Sequence, residues 1–408
     1  MSDNDTSKTI RHEAPTRRQY VKYGGAVVGG GLLAGCTGGS GDESTSESAT
    51  TSESSESAEE DTSYEVCMSP VDCVEFSEPP ESVFTVLLHH TDMALALGYG
   101  EAINAIYSPQ LFGRLYNMFL ERIDGVSVDW ANVLNSWNPD KETLYELDSD
   151  IHLADPAYVT SMDAWDTEDI EEIRTNVAPW FGNTFSDHHR TPPEPWAEKY
   201  QYYTLYEIFA KVAEVFQRRD RYEAFETIHS DLVSEIRSKR PPESDRPRVA
   251  RIQFGLSNGD LTLYPFNINE PGFEQAHLRP LGVEDAFPEL EAYATVDLET
   301  VVESDPEVIL ATHAMGPERN FSGITDALKS DSVAQEISAV KNNRLYPMAI
   351  RYGGPIANLF QLEMAAKQVY PSQFGEWPEN SGGSYPNFSE GEQLFDRGRV
   401  ADIINGDI

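Results

Sequence analysis

The chain has 408 residues and a formal net charge of −39, with 69 acidic residues against 30 basic ones, of which only nine are lysine. This excess of acid with little lysine resembles proteins of extreme halophiles, and its self-repulsion destabilises a compact state in dilute buffer. The same charge argues against nucleic acid and other polyanions as partners.

Against that background the first basic, apolar segment stands out. "TRRQYVKYGGAVVGGGLLAGC" (16–36) joins Arg17-Arg18 to an apolar run of 13 residues, Tyr23 to Gly35. A membrane-spanning helix needs about 20 residues, so the run reads as an export leader. The arginine pair resembles a twin-arginine signal, with Tyr20 and Val21 departing from the usual Phe-Leu. Leu33-Ala34-Gly35-Cys36 resembles a lipobox, which implies a diacylglycerol on Cys36 and a membrane anchor. Residues 37–63 hold no aromatic or large aliphatic side chain. Such a segment has no burial to offset its ordering entropy and is expected to be a disordered acidic tether.

Cys67 and Cys73 flank "MSPVD" between the strand-like "YEV" and "VEF". A disulfide across this hairpin suits an oxidising compartment and would contribute on the order of 2 kcal/mol. Two free thiols are the alternative, and no second Cys/His pair nearby supports zinc. Next come "SVFTVLL" (82–88), ending at His89-His90, and a helix capped by Thr91 and stopped at Gly98. Strands are predicted over 103–107, 151–155 and 177–182. Strands separated by helices argue for an α/β fold with a parallel sheet.

From about 196 to 240 the pattern is helical. Leu205, Ile208, Phe209, Val212 and Phe216, then Tyr222, Phe225, Ile228, Leu232 and Ile236, follow 3/4 spacing in two helices, ended by Pro241-Pro242. The strand–helix alternation then repeats. Strands are expected at 248–256, 261–266, 307–312 and 344–350, with helices at Phe273–Leu281, over "VDLETVVESD", before Pro371 and at the tail. The divisions are a leader (1–36), a tether (37–63), a first lobe (64–195), a helical region (196–245) and a second lobe (246–408).

Ligands of open α/β sheets bind beyond the carboxyl ends of the strands. That rule selects His89, His90, Ser108, Gln110, Asp155 and Tyr158 in the first lobe, and Ser257, Asn258, His313, Arg351 and Tyr352 in the second. Tyr264 is a further candidate for the cleft, and Arg351 is a sensible cation in so acidic a chain. The pairs His89-His90 and His188-His189 invite a metal reading. Adjacent strand residues point to opposite faces, however, so no metal site is assigned to them. No H-E-x-x-H, G-x-S-x-G or P-loop pattern supports the competing reading, an exported metal-dependent enzyme.

Several stretches resemble one family. "PPESVFTVLLHHTDMALALGYGEAINAIYSP", "SWNPDKETLYELDSDIHLAD", "LRPLGVEDAFPEL", "VDLETVVESDPEVIL" and "AVKNNRLYPMAIRYGGPIANL" are similar, in order and spacing, to the iron-siderophore and cobalamin class of ABC-transporter substrate-binding proteins. The second stretch departs from that family's L-x-P-D pattern, with Ser149 for proline and Asp150 kept. The resemblance implies two Rossmann-like lobes joined by a long backbone helix, a ligand between them, no catalytic step and no cofactor. It also implies a monomer that hands its ligand to permease and ATPase subunits. Trp137 sits where the family places a ligand-facing aromatic, and Glu270 is the second-lobe candidate for permease docking, with Asp163 or Glu168 in the first lobe. A ferric siderophore is the expected ligand, with a corrinoid, haem or an oxyanion as alternatives.

At about 1 M salt the Debye length falls to roughly 3 Å and the self-repulsion is screened. The melting temperature is therefore expected to rise between low and molar salt; a flat calorimetric series would contradict this reading of the charge.

Overall fold

In the computed structural model, residues 63–257, 260–290, 294–316, 319–378 and 383–408 are described. The leader, Cys36, nearly all of the tether and Asn258 lie outside them. Strands β1 (Tyr64–Cys67) and β2 (Cys73–Phe76) form an antiparallel hairpin in which Cys67 faces Cys73, and the two are joined by a disulfide. Tyr64 stacks on Phe76 and its hydroxyl donates to the carbonyl of Val215, seating the hairpin on the central helices.

The first sheet holds β3 (Val83–Thr85), β4 (Ile103–Ile106), β5 (Leu134–Asn135) and β6 (Ile151–Leu153), all parallel, in the order β5–β4–β3–β6. The stretch 177–182 is not a strand: it meets β6 through one bridge, His152 to Trp180. Pro179 has no N–H with which to extend the pairing, and β5 is the fourth strand instead. The helix after β3 also differs from expectation. It runs Leu88–Ala96, so His89 and His90 lie in its first turn. Thr91 does not cap it, because its hydroxyl is bonded to Thr85 Oγ1 at 2.8 Å.

The second sheet holds β7 (Arg248–Ser257), β8 (Asp260–Phe266), β9 (Glu284–Asp285), β10 (Val308–Thr312) and β11 (Leu345–Pro347). Its order is β11–β10–β7–β8, with β8 antiparallel at the edge and β9 paired to the start of β7. The two sheets are separate. The expected helix over Phe273–Leu281 is reduced to turns and one 3₁₀ turn, Arg279–Leu281. The N–H groups of Phe273 and Glu274 donate across to Ser186 and Asp187 carbonyls instead of along a helix, and Pro280 interrupts what remains.

Each sheet carries a matching unit. Asp140 caps helix Lys141–Leu147, and Asp148 closes it in the left-handed conformation three residues before β6. Asp297, helix Leu298–Ser304, Asp305 and β10 repeat that arrangement.

Helix Leu205–Val215 begins in a capping box made by Thr204 and Glu207. Gln217, at a φ of 50°, breaks the path before helix Arg219–Lys239. That helix has 21 residues, a length of about 32 Å, and links the sheets. Helix Pro355–Val369 follows β11, and every one of its residues is buried, partly against Leu88–Ala96 and Arg219–Lys239. Its N-terminal N–H groups have no partner within the helix. Asp92, from the first lobe, supplies one: Oδ1 accepts from Ile356 at 2.9 Å, and Oδ2 from Gly354 at 3.1 Å and Ala357 at 2.9 Å. Burial pushes the Asp92 carboxyl up to about 7 while these N–H groups pull it down. A Cβ on Gly354 would lie 2.5 Å from Asp92 Cβ, so only glycine permits the approach.

Asp92→Ala leaves several buried N–H groups without an acceptor and is expected to cost about 2–4 kcal/mol. Gly354→Ala, which forces the same two segments apart, should cost a similar amount. Urea unfolding of both variants checks this; losses below about 0.5 kcal/mol, the range of neutral surface changes, would show that the contact is dispensable.

Candidate functional site

The carboxyl ends of β4 and β5 are tied together by the Asn135 side chain. Its Oδ1 accepts from the N–H of Ser108 at 2.9 Å and of Trp137 at 3.1 Å. Ser108 and Asn138 are held at positive φ, 47° and 49°. Such conformations cost energy and concentrate where a chain is shaped for binding. Trp137 is 48% exposed and rests on Tyr107, with ring centroids 4.7 Å apart. Beside them lies a cavity of about 820 Å³, lined among others by Ser108, Gln110, Arg114, Asn117, Asp129 and Trp130. That is the size of a small-molecule site.

From the second lobe come His313 after β10 and Tyr352 after β11, also at positive φ, 56° and 48°. Tyr352 packs against the apolar cluster of the first lobe. Loss of hydration and the nearby Arg351 and Arg319 push the His313 imidazole down to about 3, so it is neutral. Tyr264 is paired with Gln253 on the half-buried β8 and shares a face with Phe266.

The structure therefore brings Ser108, Gln110 and Trp137 together on one lobe, while His313 and Tyr352 follow adjacent strands of the other. Other candidates are occupied elsewhere. Asp155 is buried: Oδ1 accepts from Ala157 N–H, and Oδ2 from Thr184 N–H and the Tyr200 hydroxyl, so it is a structural cap. Arg351 is no open cation, because its Nε and Nη2 both donate to Glu274, at 2.7 and 2.9 Å. Glu270 is not a simple surface carboxylate, since Oε2 lies 3.1 Å from His188 Nδ1.

His89 and His90 do not alternate across a strand. Their rings lie 3.9 Å apart inside the first helical turn, with no exposed surface. His89 Nε2 faces the Asn183 carbonyl and His90 Nε2 accepts from the Asn183 N–H, each at 3.3 Å. Burial lowers both pKa values, that of His89 to about 3, and so keeps the rings neutral.

Sequence reasoning missed the ionic seam between the lobes. Glu274, fully buried, is held by Arg251, Arg351 and His188. Burial alone would raise its pKa, but these cations hold the carboxyl well below the usual range. Asp187, His188 and Glu274 place possible metal-ligand atoms within 4.8 Å of one another. The carboxylates, however, already meet arginine or imidazole donors, Asp187 through Arg190. Arg251 carried a readable signal: an arginine between the apolar Val249-Ala250 and Ile252 of an expected strand is a buried charge in need of a partner.

Residues 120–350 match a family model described as periplasmic binding protein. No curated protein matches the chain. Among solved structures, the fold is similar to the petrobactin-binding protein YclQ of Bacillus subtilis, at 13% identity and a TM-score of 0.53, over 76% of this chain and 99% of that one. It is similar also to the iron-uptake ABC-transporter substrate-binding protein PiuA of Streptococcus pneumoniae, at 17% identity and 0.53, over 75% and 97%. A third is Helicobacter pylori CeuE in a nickel–histidine complex, at 11% identity and 0.53, over 76% and 90%. More than half of the chain matches the family model, and its two sheets are bridged by a helix as the resemblance implied. The chain belongs to the periplasmic binding protein family, in its two-lobe, helical-backbone form.

Proposed function

We propose that the chain is an extracytoplasmic, lipid-anchored receptor that carries a ferric siderophore to an ABC importer. As a member of its family it is a substrate-binding component of a transporter and not an enzyme. The observation that carries the ligand reading is the character of the cleft in a chain of net charge −39. An exposed Trp137 on Tyr107 lies near a first-lobe cavity lined by Arg114, and Arg319 lies near His313 on the other lobe. A siderophore encloses iron in its own oxygen donors, so its receptor supplies aromatic faces and cations for an often anionic complex. YclQ and PiuA, which are named for petrobactin and iron uptake, support this choice over a corrinoid or haem.

The anchor reading rests on the leader. Cys36 would carry the lipid, and the acidic residues 37–63 would hold the body off the membrane. Docking to the permease through a carboxylate on each lobe remains part of the proposal. Asp163 and Glu168 are exposed, whereas Glu270 is half-buried against His188.

Native mass spectrometry of protein taken from its own host is expected to show iron with an organic chelator. Quenching of tryptophan fluorescence by ferric catecholate, hydroxamate and carboxylate siderophores should give at least one micromolar or tighter ligand. Trp137→Ala should weaken that ligand about tenfold, the worth of one desolvated aromatic contact. A retained corrinoid, or no response to any ferric chelate, would overturn the reading.

A further inference from the structure

The segment 183–190 leaves the edge of the first sheet and ends against the second. Its start is anchored in the first lobe. Thr184 and Phe185 N–H groups donate to the Tyr200 hydroxyl, Thr184 also to Asp155, and Asn183 is bonded to His89 and His90. Its far end is His188, whose ring is buried. Nδ1 lies 3.1 Å from Glu270 Oε2, and Nε2 lies 2.7 Å from Glu274 Oε2. Glu274 in turn is fastened to the second lobe by Arg251 on β7 and by Arg351 after β11. The backbones also meet. Phe273 N–H donates to the Ser186 carbonyl at 3.0 Å and Glu274 N–H to that of Asp187 at 3.2 Å. A Cβ on Gly272, at a φ of 115°, would come within 2.0 Å of the Asp187 carbonyl oxygen.

We propose that His188 is a proton-dependent pin that holds the two lobes at a fixed separation. A neutral imidazole donates through only one nitrogen, yet here each nitrogen faces a carboxylate. Both bonds therefore require the imidazolium. Gln275 presents its amide to Nδ1 at 2.9 Å, and its Oε1 is buried without a partner. Turned about, that oxygen becomes a further acceptor for the protonated ring.

The surroundings favour the proton. On its own segment His188 adjoins Asp187, which is bonded to Arg190, and His189. From the second lobe Glu270, Glu274 and Gln275 reach it, and Phe266 stacks near the ring. Arg251 and Arg351 sit behind Glu274, and Arg279 bonds the carbonyls of Glu270 and Gly272. Burial works against the charge, but Glu270 and Glu274 outweigh it and raise the pKa to about 9. Because the value in the closed state lies above the ordinary 6.5, the stabilisation is complete below 6.5 and is lost as pH rises through about 9. The pin does not depend on which ligand the cleft carries.

Amide hydrogen exchange on the full chain, in molar salt, tests this. Between pH 7 and pH 10 the protection factors of the Phe273 and Glu274 amides, which cross the seam, should fall at least about tenfold more than those of Ile356 and Ala357, which bond Asp92. The His188 ring should titrate near 9 by NMR. In His188→Gln the extra pH-dependent loss at residues 273 and 274 should vanish. Parallel loss at both pairs of amides, titration of His188 below pH 7, or persistence of the step in His188→Gln would each overturn the proposal. The first two readings need only the wild-type chain, so a variant that fails to fold leaves the test intact.

Discussion

The fold turns on one buried carboxylate. Helix Pro355–Val369 is enclosed on all sides, and a buried helix start leaves N–H groups that no water can reach. Asp92, from the opposite lobe, accepts three of them. The carboxylate and the helix therefore need each other: either one left alone would be an unpaired polar group in the interior. This contact also places the turn just before the helix. Arg351 and Tyr352, three and two residues before Gly354, are placed by where Gly354 is held.

An apolar cluster runs through both lobes and the helices between them, and an ionic seam is set into it. Glu274 is surrounded by Arg251, Arg351 and His188, an arrangement that carries a desolvation cost apolar side chains of the same volume would avoid. What such a network supplies is position: each bond has a direction and a length, where apolar packing tolerates sliding. The rings of Phe266 and Tyr352 lie against the Arg351 guanidinium at 4.9 and 5.2 Å and complete its enclosure. Together with helix Arg219–Lys239, these contacts fasten the lobes to one another at several points. The exposed aromatic Trp137 and the cavity beside it lie where the polar network does not reach.

The parallel strands were legible because they are short apolar runs bounded by turn residues, as "EVILAT" and "INAIY" are. The central helices were legible from spacing, since Leu205, Ile208, Phe209 and Val212 lie on one buried face. The boundaries failed where a side chain found a tertiary partner. Thr91 reads as a cap from its neighbours but is bonded to Thr85. Phe273 and Glu274 read as the start of a helix, but their N–H groups are drawn across the seam. Among the candidates, the strand-end rule selected Ser108, His313 and Tyr352, all at positive φ after a strand. It also selected Asp155 and Arg351, because position along a strand does not reveal whether a charge is already paired.

By itself the sequence determined the alternation of strand and helix, the two blocks and the long helical link, because these follow from local periodicity and turn chemistry. Only the tertiary structure decided which polar groups are open to a ligand and which are consumed in holding the lobes together. That outcome depends on partners distant in the chain, Asp92 with Gly354 and His188 with Glu274, and no local pattern encodes a distance between residues so far apart.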